Sequence, residues 1–523
     1  MTNYLQVGHN VGRALTRLAP VMGTLVVISL YYGEYYAIPG TLLTMGIVFA
    51  VGWTLTRLCS AADDASKAEV FASAGAVWFV AALAGTLPFL TVAWTVALDP
   101  AVLPIPASAT DPTLRAFRRP VNAWFESMSG LTGSGLTMAR RESEFPHTLL
   151  WWRSLSQWLG GLGVIVFTVA IVNQSGNSML TQFYESRSPL GQFQSGDRSN
   201  SPKLLVGVFA AVTLLSAALF WAVGMPAWAA LNHAMTGLAT GGFVVTDTSF
   251  KAYGPQVRAA ALPIMFVGAI PLPAYYLLYK RNFSDLLTDS QIRWLAITIC
   301  GGTALVLGNL ATHTVYPSLS KSALRAVFQF VSANSGTGFY TVSSVGRKWP
   351  TISILLLTMA MALGGASGST ASGIKIIRGI SISRGLRSRI RDPFPDETLS
   401  DSIDKSVSGQ HSSENYGNAV TITILWAAVY LLGVFVLLVL LPIGPEGVPL
   451  RNVLFTVASA QGNVGLVSGI VTPSSLSKPA VAAGVKLMLT VNMWMGRLEI
   501  IPLLVFFRGV LNEVEPSGQS QSG

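Results

Sequence analysis

The chain has 523 residues, of which 51% are hydrophobic and only 11% charged, with a formal net charge of +10. A soluble protein carries about 25% charged residues, so this composition excludes an ordinary soluble domain. The positive balance does not point to nucleic acid, because the basic residues lie in loops between long apolar runs and form no single patch.

The apolar runs fall at roughly 19–58, 69–97, 150–172, 203–225, 257–279, 292–312, 351–377, 418–443 and 482–507. Each is long enough to cross about 30 Å of hydrocarbon, which takes about 20 helical residues. GEYYAIPG at 33–40 breaks the first run in two, so about ten spanning helices are expected. The leading stretch MTNYLQVGHNVGRALTRLAP is too polar for a cleavable signal, and the first run reads as a retained anchor. Cys59 and Cys300 sit at or in apolar segments and make neither a disulfide framework nor a zinc site. The densest basic stretch, KIIRGISISRGLRSRIRD at 375–392, marks its loop as cytoplasmic. That topology leaves Arg115, Arg118, Arg119, Arg140 and Arg141 outside, against the general trend.

Between the second and third of these regions the chain reads VNAWFE, then SMSGLTGSGLT at 127–137. By composition this small polar run could be a linker, yet it sits between two apolar segments. It has three echoes: AMTGLATGGFV at 234–244, FVSANSGTGFY at 330–340 and VASAQGNVGLV at 457–467. Aligned on Gly135, Gly242, Gly338 and Gly465, the next residue is always large and apolar: Leu136, Phe243, Phe339, Leu466. Six residues earlier stands a hydroxyl (Ser129, Thr236, Ser332, Ser459), and five earlier a small residue (Gly130, Gly237, Ala333, Ala460). Each run follows a spanning helix and a short apolar segment of re-entrant length, such as RAVFQFVSA or NVLFTVASA, and precedes another span.

Non-helical backbone at membrane depth survives only where protein buries it or water reaches it, so the four runs are expected to converge on one wet axis. Backbone carbonyls turned towards such an axis can replace the water of an alkali cation. Glycine tolerates the φ values this needs. The candidate filter is Thr132, Gly133, Ser134 and Gly135; Thr240, Gly241 and Gly242; Gly336, Thr337 and Gly338; and Asn463, Val464 and Gly465. The short helices would aim their partly negative C-terminal ends at the ion. The competing reading, glycines that allow close helix packing, fits one run better than four in register.

Within the seventh apolar run, LGGASGSTASGIK at 363–375 replaces leucine and methionine with glycine and hydroxyls, which makes a poor helix. A nucleotide-binding phosphate loop fails on spacing, since an isoleucine precedes Lys375 and no hydroxyl follows it. The alternatives are a helix-packing surface or a flexible loop across the pore, and the loop is preferred. Its residues are Gly364, Gly365, Ser367, Gly368, Ser369, Thr370, Gly373 and Lys375. Arg497 lies deep in the last run and must face protein or water. It is expected below the filter near the 363–374 loop, where its charge raises the barrier to cations. Glu499 is two residues on, facing elsewhere, so the two do not form a simple neighbour pair. Glu126 is read as tuning the outer field, His233 as a packed histidine, and Arg153, Lys280, Arg281 and Arg293 as interfacial charges.

With these residues in place, the chain resembles the TrkH/KtrB family of bacterial potassium uptake proteins, relatives of fungal Trk and plant HKT transporters. FESMSGLTGSGL, HAMTGLATGGF, SANSGTGF and QGNVGL resemble the four family filters. NSMLTQFYESRSP, LGGASGSTASGIKIIRG and MWMGRLEIIPLLVF extend the likeness over nearly the whole chain. Two helices before the first repeat point to the TrkH branch. One departure is TGSG in the first filter, where the family often has a run of threonines.

The resemblance implies an all-α polytopic membrane protein, with two N-terminal helices and four helix–pore loop–helix repeats arranged pseudo-fourfold around one central pore. The expected segments are an N-terminal helix pair at 1–65, repeat 1 at 66–175, a cytoplasmic loop at 176–202 and repeat 2 at 203–282. Repeat 3 with its intramembrane gating loop follows at 283–378, then a basic cytoplasmic loop at 379–415, repeat 4 at 416–512 and a tail at 513–523. It further implies potassium as the transported substrate, no cofactor bound by this chain, a homodimer with one pore per subunit in the cell (inner) membrane, and a cytoplasmic ring of TrkA-type nucleotide-binding regulatory subunits. It implies that plant relatives with serine at the first filter glycine tend to favour sodium. The alternatives are a broken-helix secondary transporter, a sodium-preferring member of the same superfamily, and a membrane-embedded enzyme. Four short equivalent repeats and sparse membrane acids argue against the first; no nucleophile–base or metal spacing supports the last.

Overall fold

The computed structural model describes residues 4–59, 67–97, 112–174, 202–271, 274–275, 283–343, 345–391, 411–444, 447–468, 479–500 and 502–506. Every regular element among them is helical. Two N-terminal helices, α1 (Tyr4–Tyr31) and α2 (Ile38–Leu58), pack against each other and against α3 (Lys67–Thr95). After the short α4 (Pro112–Phe117) come α5 (Pro120–Thr132) and α6 (His147–Gln174), which complete the first repeat. The second comprises α7 (Pro202–Ala222), α8 (Ala227–Leu238) and α9 (Pro255–Ala269). The third follows the short α10 (Phe283–Thr288) with α11 (Ser290–Thr312), α12 (Leu319–Ser335), the one-turn α13 (Val345–Lys348), α14 (Thr351–Ala362) and α15 (Ile376–Arg391). The fourth is α16 (His411–Leu440), α17 (Leu450–Gln461) and α18 (Pro479–Arg497).

Each repeat therefore places one helix, α5, α8, α12 or α17, between two others, of which both are longer except in the third repeat, where α14 has 12 residues against 17 in α12. These four are buried along most of their length, while the outer helices turn apolar side chains outward. Leu42, Leu43 and Phe49 on α2 and Leu431, Leu432 and Phe435 on α16 are exposed. In water such a surface is costly, but against lipid tails it is neutral. Six helices among the described residues are long and apolar enough to cross a membrane. The other expected spans are helices too: α6 and α18 carry buried basic residues, and α9 and α14 are shortened.

One expectation needs correction. The first span starts at Tyr4 rather than near residue 19, because Val7, Val11 and Leu15 make a buried stripe through the polar-looking leader. The seventh run stops being helical at Ala362 and a new helix begins at Ile376, as the glycine-rich stretch between them led one to expect. The NSMLTQFYESRSP segment, most of the 379–415 loop and the 513–523 tail lie outside the described residues.

The N-terminal pair is tied to the first repeat by Glu34. Its carboxylate accepts from His147 N (2.6 Å), Thr148 N (2.9 Å) and the Thr148 hydroxyl (2.6 Å) at the start of α6. A carboxylate is favoured at a helix N-terminus, where unpaired N–H groups gather. Burial raises the Glu34 pKa, but these bonds and the His147 ring outweigh it and leave it lowered. This stabilisation is therefore present above the unfolded-state pKa and lost as pH falls through the lower folded value. Glu34→Ala should cost about 1–2 kcal/mol, read as a lower melting temperature in detergent, and the deficit should vanish in acid.

Candidate ion pathway

Each short helix ends in the same way. The N–H of the residue before the aligned glycine returns to the carbonyl of the hydroxyl residue six before that glycine. The four bonds are Ser134 N to Ser129 O (2.8 Å), Gly241 N to Thr236 O (2.8 Å), Thr337 N to Ser332 O (3.0 Å) and Val464 N to Ser459 O (2.9 Å). This six-to-one closure is a common helix terminator and needs a left-handed residue. Each run supplies two: Gly133 and Gly135 (φ 69°, 76°), Thr240 and Gly242 (51°, 75°), Gly336 and Gly338 (76°, 80°), Asn463 and Gly465 (51°, 86°). Asparagine tolerates this region, whereas β-branched threonine resists it. Thr240 is held there by its hydroxyl, 3.1 Å from Thr370 Oγ1.

The four runs meet in a closed cycle. A β-carbon on Gly135 would overlap Gly241 O, one on Gly242 would overlap Thr337 O, one on Gly338 would overlap Val464 O, and one on Gly465 would overlap Ser134 O. The order 1–2–3–4–1 is the pseudo-fourfold arrangement, formed by one chain around one axis. Ser134, Thr240, Thr337, Asn463 and Val464 are all buried.

Helix α6 stands behind the first two runs. Arg153 is 1% exposed and pairs with Glu126 (Nε to Oε1, 2.8 Å), so it is not an interfacial charge as its position in an apolar run suggested. It also donates to Val244 O (2.9 Å) and Thr137 Oγ1 (3.2 Å), and lies over the Phe243 ring. Glu126 accepts from Met138 N (2.7 Å) as well. Its carboxylate is therefore engaged in holding the first run and is not an open outer field. One turn on, Gln157 donates to Gly241 O (2.6 Å) and accepts from Phe243 N (3.0 Å). His233 is packed among Phe250, Tyr253 and Phe339, with Nδ1 2.7 Å from Ala229 O and Nε2 without a partner among the described residues. Arg293 is exposed and donates to Thr288 O; Lys280 and Arg281 lie outside the described residues.

Residues 363–375 form a buried loop between α14 and α15. Its ends are pinned by Gly364 N to Ile374 O and Ile374 N to Ala362 O, both 2.9 Å. Asn334 Nδ2 donates to Leu363 O (3.0 Å), and Gln291 Oε1 accepts from Ser367 N (2.8 Å). The Thr370 hydroxyl lies 3.0 Å from Leu238 O and 2.9 Å from Gly268 O, so the loop is fixed to the base of the second run. Gly364, Gly365, Ser369, Thr370 and Gly373 are buried; Gly368, with φ 75°, is half-buried at the turn.

Arg497 is 3% exposed and sits between this loop and the first run. Its Nη1 donates to Thr370 O (2.7 Å) and Ser372 Oγ (3.2 Å), and a β-carbon on Gly133 would lie 3.5 Å from it. Its Nε and Nη2 have no hydrogen-bond partner among the described residues. Glu499 turns away, as expected, and binds Arg378 and, at 3.9 Å, Lys375. Glu499 and Ile500 both have positive φ (56° and 70°), so the chain after α18 is bent sharply where this cluster forms. Lys375 also donates to Ala371 O. Among these groups three cations face one carboxylate.

In the segments that follow the first and second runs, Asp247 accepts from Ser143 N and its hydroxyl, both 2.8 Å. The neighbouring Glu142 is 8% exposed, and burial, opposed by the nearby Arg153 charge, raises its pKa to about 7. Among the described residues no group of histidine, cysteine and acids could hold a metal ion.

A cyclic set of four glycine-bearing runs, each at the end of a buried helix within an apolar shell, defines a single-chain, four-repeat helical protein of the cell membrane. Residues 104–517 match the TrkH family, described as cation transport protein, and the chain belongs to that family. The Trk system potassium uptake protein TrkI of Halomonas elongata is 29% identical over 512 residues, covering 94% of this chain and 96% of that one. The TrkH protein of Escherichia coli K12 is 29% identical over 397 residues, 74% and 78% of the two chains. An uncharacterized cation transporter of Methanocaldococcus jannaschii is 26% identical over 482 residues, 92% and 90%. The crystal structure of the potassium transporter TrkH from Vibrio parahaemolyticus superposes with a TM-score of 0.76 at 22% identity, covering 96% and 98%.

Proposed function

We propose that this chain is the pore subunit of a potassium uptake system, passing potassium between the four runs and closing beneath them. The cyclic contact of the four runs carries this reading. Left-handed residues at alternate positions let successive carbonyls face the same side, which a dehydrated cation requires. The candidate filter is the set running from Thr132 to Gly135, from Thr240 to Gly242, from Gly336 to Gly338 and from Asn463 to Gly465. The negative ends of α5, α8, α12 and α17 converge behind it. The names of the similar Trk proteins support potassium as the substrate.

The 363–375 loop and Arg497 form the gate in this reading. A loop fixed by side-chain hydrogen bonds can leave the axis without unfolding a helix, and its glycines lower the cost of rearranging. Control comes from a TrkA-type nucleotide-binding ring on the cytoplasmic face, reached through α15, whose last turn carries Arg389 and Arg391. The working unit is a homodimer with one pore per subunit, and the chain performs no chemical conversion. The test is rubidium flux into liposomes holding the purified protein, with potassium and sodium as competitors. Saturable flux that potassium inhibits more strongly than sodium is expected. Equal inhibition, or flux only with an organic solute, overturns the reading.

Glu142 gives the pathway a pH dependence. A carboxylate with a pKa near 7 is charged above that pH and neutral below it. Uptake at low potassium should fall as external pH drops through about 7, because the mouth loses a negative charge. Glu142→Gln should remove that step. A wild-type profile that is flat from about pH 6 to about pH 8 counts against it.

A further inference from the structure

We infer that Gln157 is a positioning residue for ion selectivity: its side-chain amide weakens one of the four carbonyls in the ring and thereby favours potassium over sodium. This rests on the pore reading above but assigns a role to a side chain outside all four runs.

The observations are local and specific. Gln157 lies on the second helix of repeat 1 and is fully buried. Its Nε2 donates to Gly241 O at 2.6 Å, and its Oε1 accepts from Phe243 N at 3.0 Å. Both bonds are made to repeat 2. Gly241 O is also the oxygen that a β-carbon on Gly135 would overlap, so it belongs to the cyclic contact. The corresponding oxygens of the other repeats are Ser134 O, Thr337 O and Val464 O. Among the described residues none of these accepts a hydrogen bond from the protein. Gly241 cannot carry a side chain for a second reason: its β-carbon would overlap the Gln157 amide itself.

The physical consequence follows from how carbonyls select ions. A ring of strongly donating oxygens favours the smaller, more strongly hydrated sodium, and a weaker field favours potassium. An oxygen that already accepts an amide N–H gives less electron density to a cation and turns less freely towards it. Gln157 thus lowers the field in one quadrant while holding the Gly241–Phe243 backbone against collapse. Arg153, four residues earlier on the same helix face, binds Val244 O and extends the brace outward. It does not touch the ring oxygen.

The test uses two variants in the full-length protein. Gln157→Met has a similar length and loses both bonds; Gln157→Leu loses both bonds with a shorter apolar side chain. Rubidium flux with sodium or potassium as competitor gives the selectivity. The potassium and sodium concentrations that half-maximally raise the melting temperature give a second ratio, one that a simple loss of stability leaves unchanged. Both variants should shift both ratios towards sodium by about three- to tenfold. If Gln157→Met does not fold, Gln157→Leu alone decides. Wild-type ratios in either folded variant overturn the inference, as does a lowered melting temperature with both ratios intact. Wild-type protein without alkali-cation flux would instead sink the pore reading.

Discussion

Gly135→Ser is expected to reduce discrimination between potassium and sodium by about tenfold or more, equivalent to about 1.4 kcal/mol between the two ions. Two effects act together. The residue has φ 76°, which serine adopts only with strain, and its β-carbon would overlap Gly241 O. The neighbour must give way, and the neighbour is a ring carbonyl. A displaced oxygen no longer matches potassium, whereas sodium, which accepts fewer and less regular ligands, is hurt less. Gly465→Ser should behave alike, since its β-carbon would overlap Ser134 O. Competing-flux or reversal-potential measurements on the folded variants settle the matter, and unchanged selectivity would remove Gly135 from the filter.

Arg497→Ala should raise basal cation flux by about ten- to a hundredfold and weaken dependence on a regulator. The guanidinium is a fixed positive charge in a buried site just below the first run, and its Nη1 holds the loop at Thr370 O and Ser372 Oγ. Removing it lowers the barrier and frees the loop. Lysine keeps the charge but not the planar fork of donors. A leaky Arg497→Lys would show that the loop contacts matter, and a tight one that charge alone does. Deleting GASGSTAS should open the pathway too, and combining it with Arg497→Ala should add little, since both remove one barrier. Loss of flux in a folded Arg497→Ala would mean that the arginine supports the filter.

The pore architecture was legible because its requirements are local. A left-handed turn at the end of a short helix favours glycine or asparagine within a few residues, so the four aligned runs share one geometry, with Thr240 the exception that its hydroxyl bonds hold in place. The loop was legible for the same reason: glycine and serine in mid-membrane have no helical use. What the sequence did not disclose are pairs formed between helices far apart in the chain. Arg153 meets Glu126 and Val244, Gln157 meets Gly241, and Glu499 meets Arg378 and Lys375, all across long separations. A signal for the first two was present. RSLSQ in the middle of an apolar run is unsuited to lipid, and Arg153, Ser154, Ser156 and Gln157 are all buried. Snorkelling explained the arginine but not its polar neighbours. The early start of α1 was missed because its buried face is a narrow stripe among polar residues.

The cycle 1–2–3–4–1 is closed by one polypeptide, and this gives evolution a freedom that an assembly of four identical subunits lacks. In a homotetramer any substitution appears four times around the axis, so a buried arginine would place four positive charges under the ion. Here each quadrant mutates alone. One arginine, one glycine-rich loop and one glutamine occupy single quadrants, while the four glycines keep the common geometry. A tandem chain can therefore change one quadrant in a single genetic step and leave the other three as they were.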